Sequence, residues 1–423
     1  MKYVLGISYT FLCFFACYGL DSDHTNKHLA LQQLLDEVAE RNPDLAAANA
    51  RVQAATFVID RVSTPSDPLF TWMTDYNAFS PPKDDLFPDS SYQLAQTFPF
   101  PGKLHLKGKI AQQQLTFTRY EKITTLRELI LKTKKLYYQL SFNYVAQSIN
   151  KNNREIVSSI IKGALALYKT GKARQEEVFK AKIEYAILKN ELLVLHSELI
   201  SIKAILNAFL NRPPTEHIAE PNNFFHPKFN LSYDALEIIA MRERSELHGV
   251  QAMIEEQKIT SRLARLEFFP DVTVAGTLHD MKDSHNHGWG INISFNIPLF
   301  YSRRQRRESQ EANARALAYH NTLEGMRAMI RGQIKEFLAK IEASEKLIMR
   351  YEKKILPTTL QTLSASQEKY RVGKGEFLFL LDTRRQLQNF QLAYEQARTD
   401  RELLLADLER VIGMPLEKLQ SSI

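Results

Sequence analysis

Five side chains set close together carry the most metal-like chemistry in this sequence: His279, Asp280, Asp283, His285 and His287. Imidazoles and carboxylates at this density are a donor set that a borderline cation such as zinc accepts. They also fall between two strand-like stretches, where such residues are common in polar loops, and no metal site is assigned to them. A second group, Arg303, Arg304, Arg306 and Arg307, follows the last strand-like stretch. It suits anionic headgroups or an aqueous tunnel wall, and it also fits a solvated first turn of a helix. Cys13 and Cys17 are the only thiols, and both lie in the N-terminal apolar segment. The rest of the chain therefore has no disulfide framework and no cysteine metal site. Gly102 and Gly108 lack the strand–turn–helix setting of a dinucleotide loop, and no nucleophile elbow or His-Glu-x-x-His is present. No catalytic residue and no cofactor are expected.

The chain around these groups is 423 residues long, 44% hydrophobic, with 55 Lys+Arg against 48 Asp+Glu. That is enough apolar content for a large core. The net charge of +7 is spread along the chain, with no basic stripe interleaved with aromatics, so nucleic acid is not an expected partner. Residues 1–20 carry Lys2 and then a short apolar run, the pattern of a secretory signal. Phe14-Phe15-Ala16-Cys17 is a poor lipobox, and lipidation of Cys17 is left open. Beyond it no unbroken run of about 18 apolar residues occurs, so any membrane span is expected to be β.

The sequence is duplicated. Tyr168-Lys-Thr-Gly171-Lys172 returns as Tyr370-Arg-Val-Gly373-Lys374, and Leu210-Asn-Arg-Pro213 returns as Ile412-Gly-Met-Pro415, both 202 residues on. Pro68 and Pro270 share that offset. The predicted organisation is a first repeat over 21–212, a turn-rich linker over 213–229, a second repeat over 230–415 and a tail over 416–423. Each repeat opens with a helix, Leu31 to Arg61 and Tyr233 to Phe268. Two alternating segments follow, and then a helical stretch that runs out to the Tyr-x-x-Gly mark and back. No proline interrupts the chain between Pro101 and Pro213, so the outgoing helix spans roughly 100 Å at 1.5 Å per residue. Apolar residues at three-and-four spacing, such as Ile123, Leu126, Ile130, Tyr137, Leu140 and Tyr144, or Leu387, Phe390, Tyr394 and Ala397, predict coiled-coil-like packing.

The strand-like segments, about 69–99 and 271–297, alternate strictly. Trp289, Ile291, Ile293 and Phe295 oppose Gly288, Gly290, Asn292 and Ser294; Val272, Val274 and Leu278 oppose Thr273, Thr277 and His279. Phe70, Trp72 and Tyr76 oppose Thr71, Asp75 and Asn77, and Tyr92, Leu94 and Phe98 oppose Ser91, Gln93 and Thr97. Two hairpins supply about four strands, fewer than the roughly eight of the smallest membrane barrels, and lipid does not tolerate open edges. Several copies must then close one barrel, with the small polar face inward around water.

Gln96-Thr-Phe-Pro-Phe-Pro-Gly-Lys103, Phe295-Asn-Ile-Pro-Leu-Phe300, Phe269-Pro270-Asp271 and Tyr370-Arg-Val-Gly-Lys-Gly-Glu-Phe-Leu-Phe-Leu-Leu-Asp382 resemble the TolC-like outer membrane efflux proteins over nearly the whole mature chain. The Phe-Pro-Phe-Pro-Gly-Lys form leans toward the heavy-metal efflux branch. The resemblance implies a mainly α fold with transmembrane β: a homotrimer whose 12-stranded outer-membrane barrel continues as a coiled-coil helical tunnel across the periplasm. It implies a periplasmic adaptor and an inner-membrane pump as partners. Gly171, Lys172, Gly373 and Lys374 would stand at the periplasmic tip, where the adaptor docks, and Asp382 near the constriction. Where some members carry a second gate acid this chain has Phe379, and the repeat-one counterpart of Asp382 is Lys180. A Lys180–Asp382 attraction is therefore the expected gate contact, and metal cations or small toxic compounds are the expected cargo. A type I protein-secretion conduit and a non-channel structural or adhesive coiled-coil protein are the alternatives.

Overall fold

The computed structural model describes residues 28–75, 89–222, 232–281 and 286–416. The N-terminal segment with Cys13 and Cys17, Tyr76 and Asn77, part of the linker, Asp283, His285 and most of the tail lie outside them.

The chain begins with β1 (His28–Leu29), α1 (Leu31–Arg41) and α2 (Pro43–Ser63). The expected single opening helix is thus broken. Asn42 leaves the helical region at ψ 126°, its side chain accepts the Asp44 N–H at 2.9 Å, and Pro43 takes the first helical position, where its missing N–H is harmless. The Asn42 amide also donates to the Phe209 carbonyl at 3.0 Å, fixing the break against the far end of the first hairpin. Apolar spacing continues through the break, so periodicity alone does not show it.

The strands β2 (Leu69–Asp75) and β3 (Asp89–Phe98) lead to α3 (Lys103–Lys169), 67 residues long, and α4 (Gln175–Phe209) returns beside it. A short β4 (Glu220–Pro221) pairs in parallel with β1. The same order then recurs: α5 (Tyr233–Glu243), α6 (Ser245–Leu266), β5 (Val272–Met281), β6 (Asn286–Phe295) and α7 (Gln305–Arg350). Here too the expected single opening helix is broken, at Arg244, whose ψ is 113°. From α7 the axis passes through one π-helical turn, Tyr351–Ile355, into α8 (Leu356–Arg371), and α9 (Phe377–Ile412) returns.

The four longer strands form one antiparallel sheet in the order β2-β3-β5-β6, joined across the halves by β3 and β5. Three apolar clusters run down the molecule. Two fill the middle, around Leu34, Tyr137 and Leu206 and around Leu236, Ile330 and Leu408, and the third joins both hairpin tips. Tyr137, Leu140, Leu387 and Ala397 are buried as the spacing predicts, whereas Ile123 is exposed. Lys134 of α3 and Glu409 of α9 form a buried ion pair between the halves.

By length and composition α4 is apolar enough to cross a membrane, with a mean hydropathy of 1.5 over its best 18-residue window. Glu198 and Lys203 interrupt its apolar run, so the helix holds no unbroken apolar stretch of that length. One apolar face packs on α3; another, including Leu193 at 70% exposure, is open in the single chain.

Candidate channel wall and gate

The sheet separates its side chains as alternation requires. Across the observed register Trp72, Tyr92, Leu278 and Trp289 share a row, as do Phe70, Leu94, Gly276 and Ile291. The opposite face carries Ser91, Gln93, Thr97, Thr273, Thr277, Gly288, Gly290, Asn292 and Ser294. On it Thr97 and Thr273 share a hydrogen bond of 2.9 Å across the β3–β5 seam. One surface is suited to hydrocarbon and the other to water. The outer edges of β2 and β6 have no partner strand among the described residues.

Below the sheet a polar corner sets the angle of the helices. The Lys103 ammonium is 1% exposed and donates to Asp271 Oδ1 at 2.8 Å and to the Phe269 carbonyl at 2.9 Å. Asp271 also accepts the Phe100 N–H, and its own N–H donates to Asn296 Oδ1 at 2.7 Å. Burial would raise the Asp271 carboxyl, but these donors and the Lys103 charge outweigh it and hold it below its ordinary value. Phe100 stacks on Phe269 at 4.5 Å, and Phe268 meets Tyr301 edge-on. His279 lies on the polar face; among the described residues no three acidic, His or Cys side chains converge in a way that would hold a metal.

At the other end the two hairpin turns are built alike. Gly171 and Gly373 adopt φ of 71° and 72°, the left-handed region that glycine enters without a Cβ penalty. The Lys172 N–H reaches back to the Leu167 carbonyl, and the Lys374 N–H to that of Lys369, closing the same helix stop twice. The inner ends of the returning helices match as well: Asn211 and Gly413 are both left-handed, at φ 53° and 81°. Ile160, Ala164 and Val178 of the first tip pack with Leu363, Tyr370 and Phe377 of the second, so Gly171, Lys172, Gly373 and Lys374 share one end of the molecule.

Lys180 and Asp382 line one shallow cleft between α4 and α9, together with Ile183, Glu184, Leu378 and Arg385. They form no ion pair with each other in the single chain; Asp382 Oδ2 accepts from Gln386 at 2.8 Å. The contacts that join the hairpins come from residues the sequence reading passed over. Tyr370 donates to Glu177 at 2.8 Å. Arg384 and Arg385 both donate to Glu184. Gln388 donates to Glu191 at 2.9 Å. Arg384 is fully buried, and its Nε and Nη2 find no acceptor among the described residues, so Glu184 is its one anchor. Burial lowers the Arg384 guanidinium from its ordinary value against the pull of Glu184 and Glu191. Burial and then the Glu177 carboxylate push the Tyr370 phenol up, keeping it a donor through the physiological range.

These acceptors follow a rule visible in the sequence. Glu177, Glu184, Glu191 and Glu198 recur every seven residues on α4, which keeps them on one stripe. Their partners come from both neighbouring helices. Asn143 and Asn150 of α3, also seven apart, donate to the Leu195 and Leu188 carbonyls, at 3.0 Å each, and to Glu198 and Glu191.

The model of the outer membrane efflux protein family matches residues 34–212 and again 240–414. Among solved structures, the outer membrane protein VceC of Vibrio cholerae is similar at TM-score 0.76 and 20% identity, covering 91% of this chain and 96% of that one. CusC is similar at TM-score 0.78 and 16% identity, covering 91% and 92%. The open-state MtrE outer membrane channel of Neisseria gonorrhoeae is similar at TM-score 0.72 and 18% identity, covering 91% and 89%. No curated protein sequence matches the chain. These likenesses take in both halves of the chain, and the alternative of a non-channel coiled-coil protein gives way to them. With both halves matched by its model, the chain belongs to the outer membrane efflux protein family and is an outer-membrane channel extending into the periplasm, a passive conduit rather than an enzyme.

Proposed function

We propose that three copies of this chain close one barrel and tunnel, the exit duct of a tripartite assembly fed by a periplasmic adaptor and an inner-membrane pump. The observation that carries this reading is the open sheet: four strands with one apolar face, one polar face and two unpaired edges cannot stand alone in lipid. Pairing β6 of one copy with β2 of the next removes every edge by a head-to-tail contact that closes as a ring. The helical layer supports the same closure. The outer faces of α4, with Phe179, Ile183 and Ile187, and of α7, with Leu317 and Met329, are exposed apolar surfaces in the single chain. Burial of the continuation of that α4 face through Leu193, Val194 and Ile200 against a neighbour accounts for its membrane-like hydropathy without a helical span.

In this reading Gly171, Lys172, Gly373 and Lys374 form the tip that the adaptor grips. Lys180 and Asp382 stand at the gate, their attraction acting between neighbouring copies, while Tyr370–Glu177 and Glu184–Arg384–Arg385 hold the two hairpins of each copy together. Metal cations or small toxic compounds are the cargo, delivered by the pump. The test is the mass of the detergent-purified oligomer together with its single-channel conductance in a planar bilayer. A trimer of small conductance that rises on Asp382→Ala supports duct and gate; a non-conducting monomer sinks both.

A further inference from the structure

We infer that Arg303, Arg304, Arg306 and Arg307 form a binding site for the anionic headgroup of a phospholipid in the periplasmic leaflet of the outer membrane. The inference rests on the barrel end of this chain lying in that membrane, and on four observations at the foot of β6.

The apolar face of the sheet does not stop with the strand. Beyond Phe295 it continues through Ile297, Leu299 and Phe300, exposed at 66%, 80% and 73%. Side chains this apolar and this open are stable where hydrocarbon covers them. The four arginines follow within seven residues of Phe300, so cations sit where hydrocarbon gives way to polar surroundings.

All four are exposed, and none pairs with a carboxylate among the described residues; Arg307 donates only to Gln310, at 3.1 Å. Farther along α7 the pattern reverses. Arg315 pairs with Glu311, Arg327 with Glu324 and Arg331 with Glu237. The unpaired charge is densest at the helix start; farther along α7 only Lys335, which lies over the Tyr233 ring, and the terminal Arg350 lack a carboxylate partner among the described residues.

That start is also the wrong end for cations. The first turn of a helix favours negative charge, and the only acid in the first turn of α7 is Glu308. An external anion would reverse the penalty. The first repeat supplies the control: α3 and α7 begin 202 residues apart, and the counterparts of the four arginines are Pro101, Gly102, Leu104 and His105. The one cation opening α3, Lys103, is buried and neutralised by Asp271 and Glu267. The fold therefore does not require arginines at a helix start in this place.

Position selects the lipid. The helices hang from this end of the sheet, and the family's extension is periplasmic, so the nearer leaflet is the inner one, made of glycerophospholipid. A headgroup phosphate here would meet several guanidinium groups at once, while the acyl chains lie along Leu299 and Phe300.

The test uses the full-length oligomer in detergent, titrated with short-chain phosphatidylglycerol, phosphatidylcholine of the same chains, and inorganic phosphate, with binding read by thermal shift. The expected result is phosphatidylglycerol binding about tenfold or more tighter than phosphatidylcholine. That preference is lost in R303Q/R304Q/R306Q/R307Q and kept when all four become lysine. Should the fourfold Gln variant not fold, the single variants carry the test, each weakening phosphatidylglycerol about three- to fivefold. An unchanged preference in the Gln variants overturns the site. A wild-type response to inorganic phosphate equal to that for the lipid overturns the lipid as its ligand. Loss of the oligomer in a folded Gln variant assigns the arginines to a subunit contact instead. Oligomeric mass and conductance on the same sample keep the readings apart: a conducting trimer without lipid preference loses only this site, whereas a non-conducting monomer loses the duct.

Discussion

The outgoing helices of the two long hairpins begin 202 residues apart and end in matching turns, yet they differ halfway. In the first half α3 runs unbroken from Lys103 to Lys169. In the second the same length of axis contains the π turn Tyr351–Ile355 and then Pro357. The Leu356 N–H skips back to the Tyr351 carbonyl there, so the proline enters without breaking a regular ladder. The region of α3 corresponding to the π turn holds Asn150 and Asn153, and Asn150 is bonded to the Leu188 carbonyl and Glu191. A regular, cross-braced helix pair behaves as a strut, while one with a π turn and a proline has a place to bend. In the duct reading, the second hairpin is the part that moves when the gate opens, and the first is the frame against which it moves.

Exchanging the irregularity is the strongest way to break this comparison. Glu155→Pro places a proline at the α3 counterpart of Pro357 and should cost roughly 3 kcal/mol or more, since no π turn is there to absorb it. Pro357→Ala should stabilise the second hairpin and lower the frequency of channel opening. Denaturation midpoints and bilayer recordings of both variants check this, and equal tolerance of proline in the two hairpins would remove the distinction.

Next in size is the tie between frame and moving part. Glu184→Ala leaves Arg384 buried without its acceptor, which should cost about 3 kcal/mol. Conductance should rise at the same time, because the tip of the second hairpin is freed. Glu198→Ala is the control on the same stripe: its contact from Asn143 is long, at 3.5 Å, and lies within the first hairpin. It should change stability less and leave conductance alone.

Smallest is Tyr370→Phe, expected to cost about 1 kcal/mol for one hydrogen bond and to raise the opening rate modestly. The phenol has a raised pKa in the folded chain. Its contribution is therefore fully present below the ordinary tyrosine value of about 10 and is lost as pH rises through the higher folded value. Alkaline titration of wild type and variant should show a loss of tip stability in the first that is absent from the second.

Much of this architecture is written in local pattern. Three-and-four spacing gave the helices and alternation the two faces of the sheet, because each follows from the backbone's own period. The hairpin turns were legible for the same reason: Gly171 and Gly373 supply left-handed backbone wherever it is placed. Of the two breaks in the opening helices, the one at Asn42 carries a local mark, a cap residue followed by a proline, under an apolar stripe that passes through it, whereas the one at Arg244 has no such mark and is selected by packing against distant elements. The contacts between the hairpin tips were half legible. Lys180 and Asp382 were found as repeat counterparts and do share a cleft, but the ties that hold the hairpins run from Glu177, Glu184 and Glu191 to Tyr370, Arg384, Arg385 and Gln388. The sequence alone determined the stripe of four glutamates. Which helix answers it was decided only when residues nearly two hundred positions apart came together, because partner choice across that distance depends on how helices pack and not on any spacing along the chain.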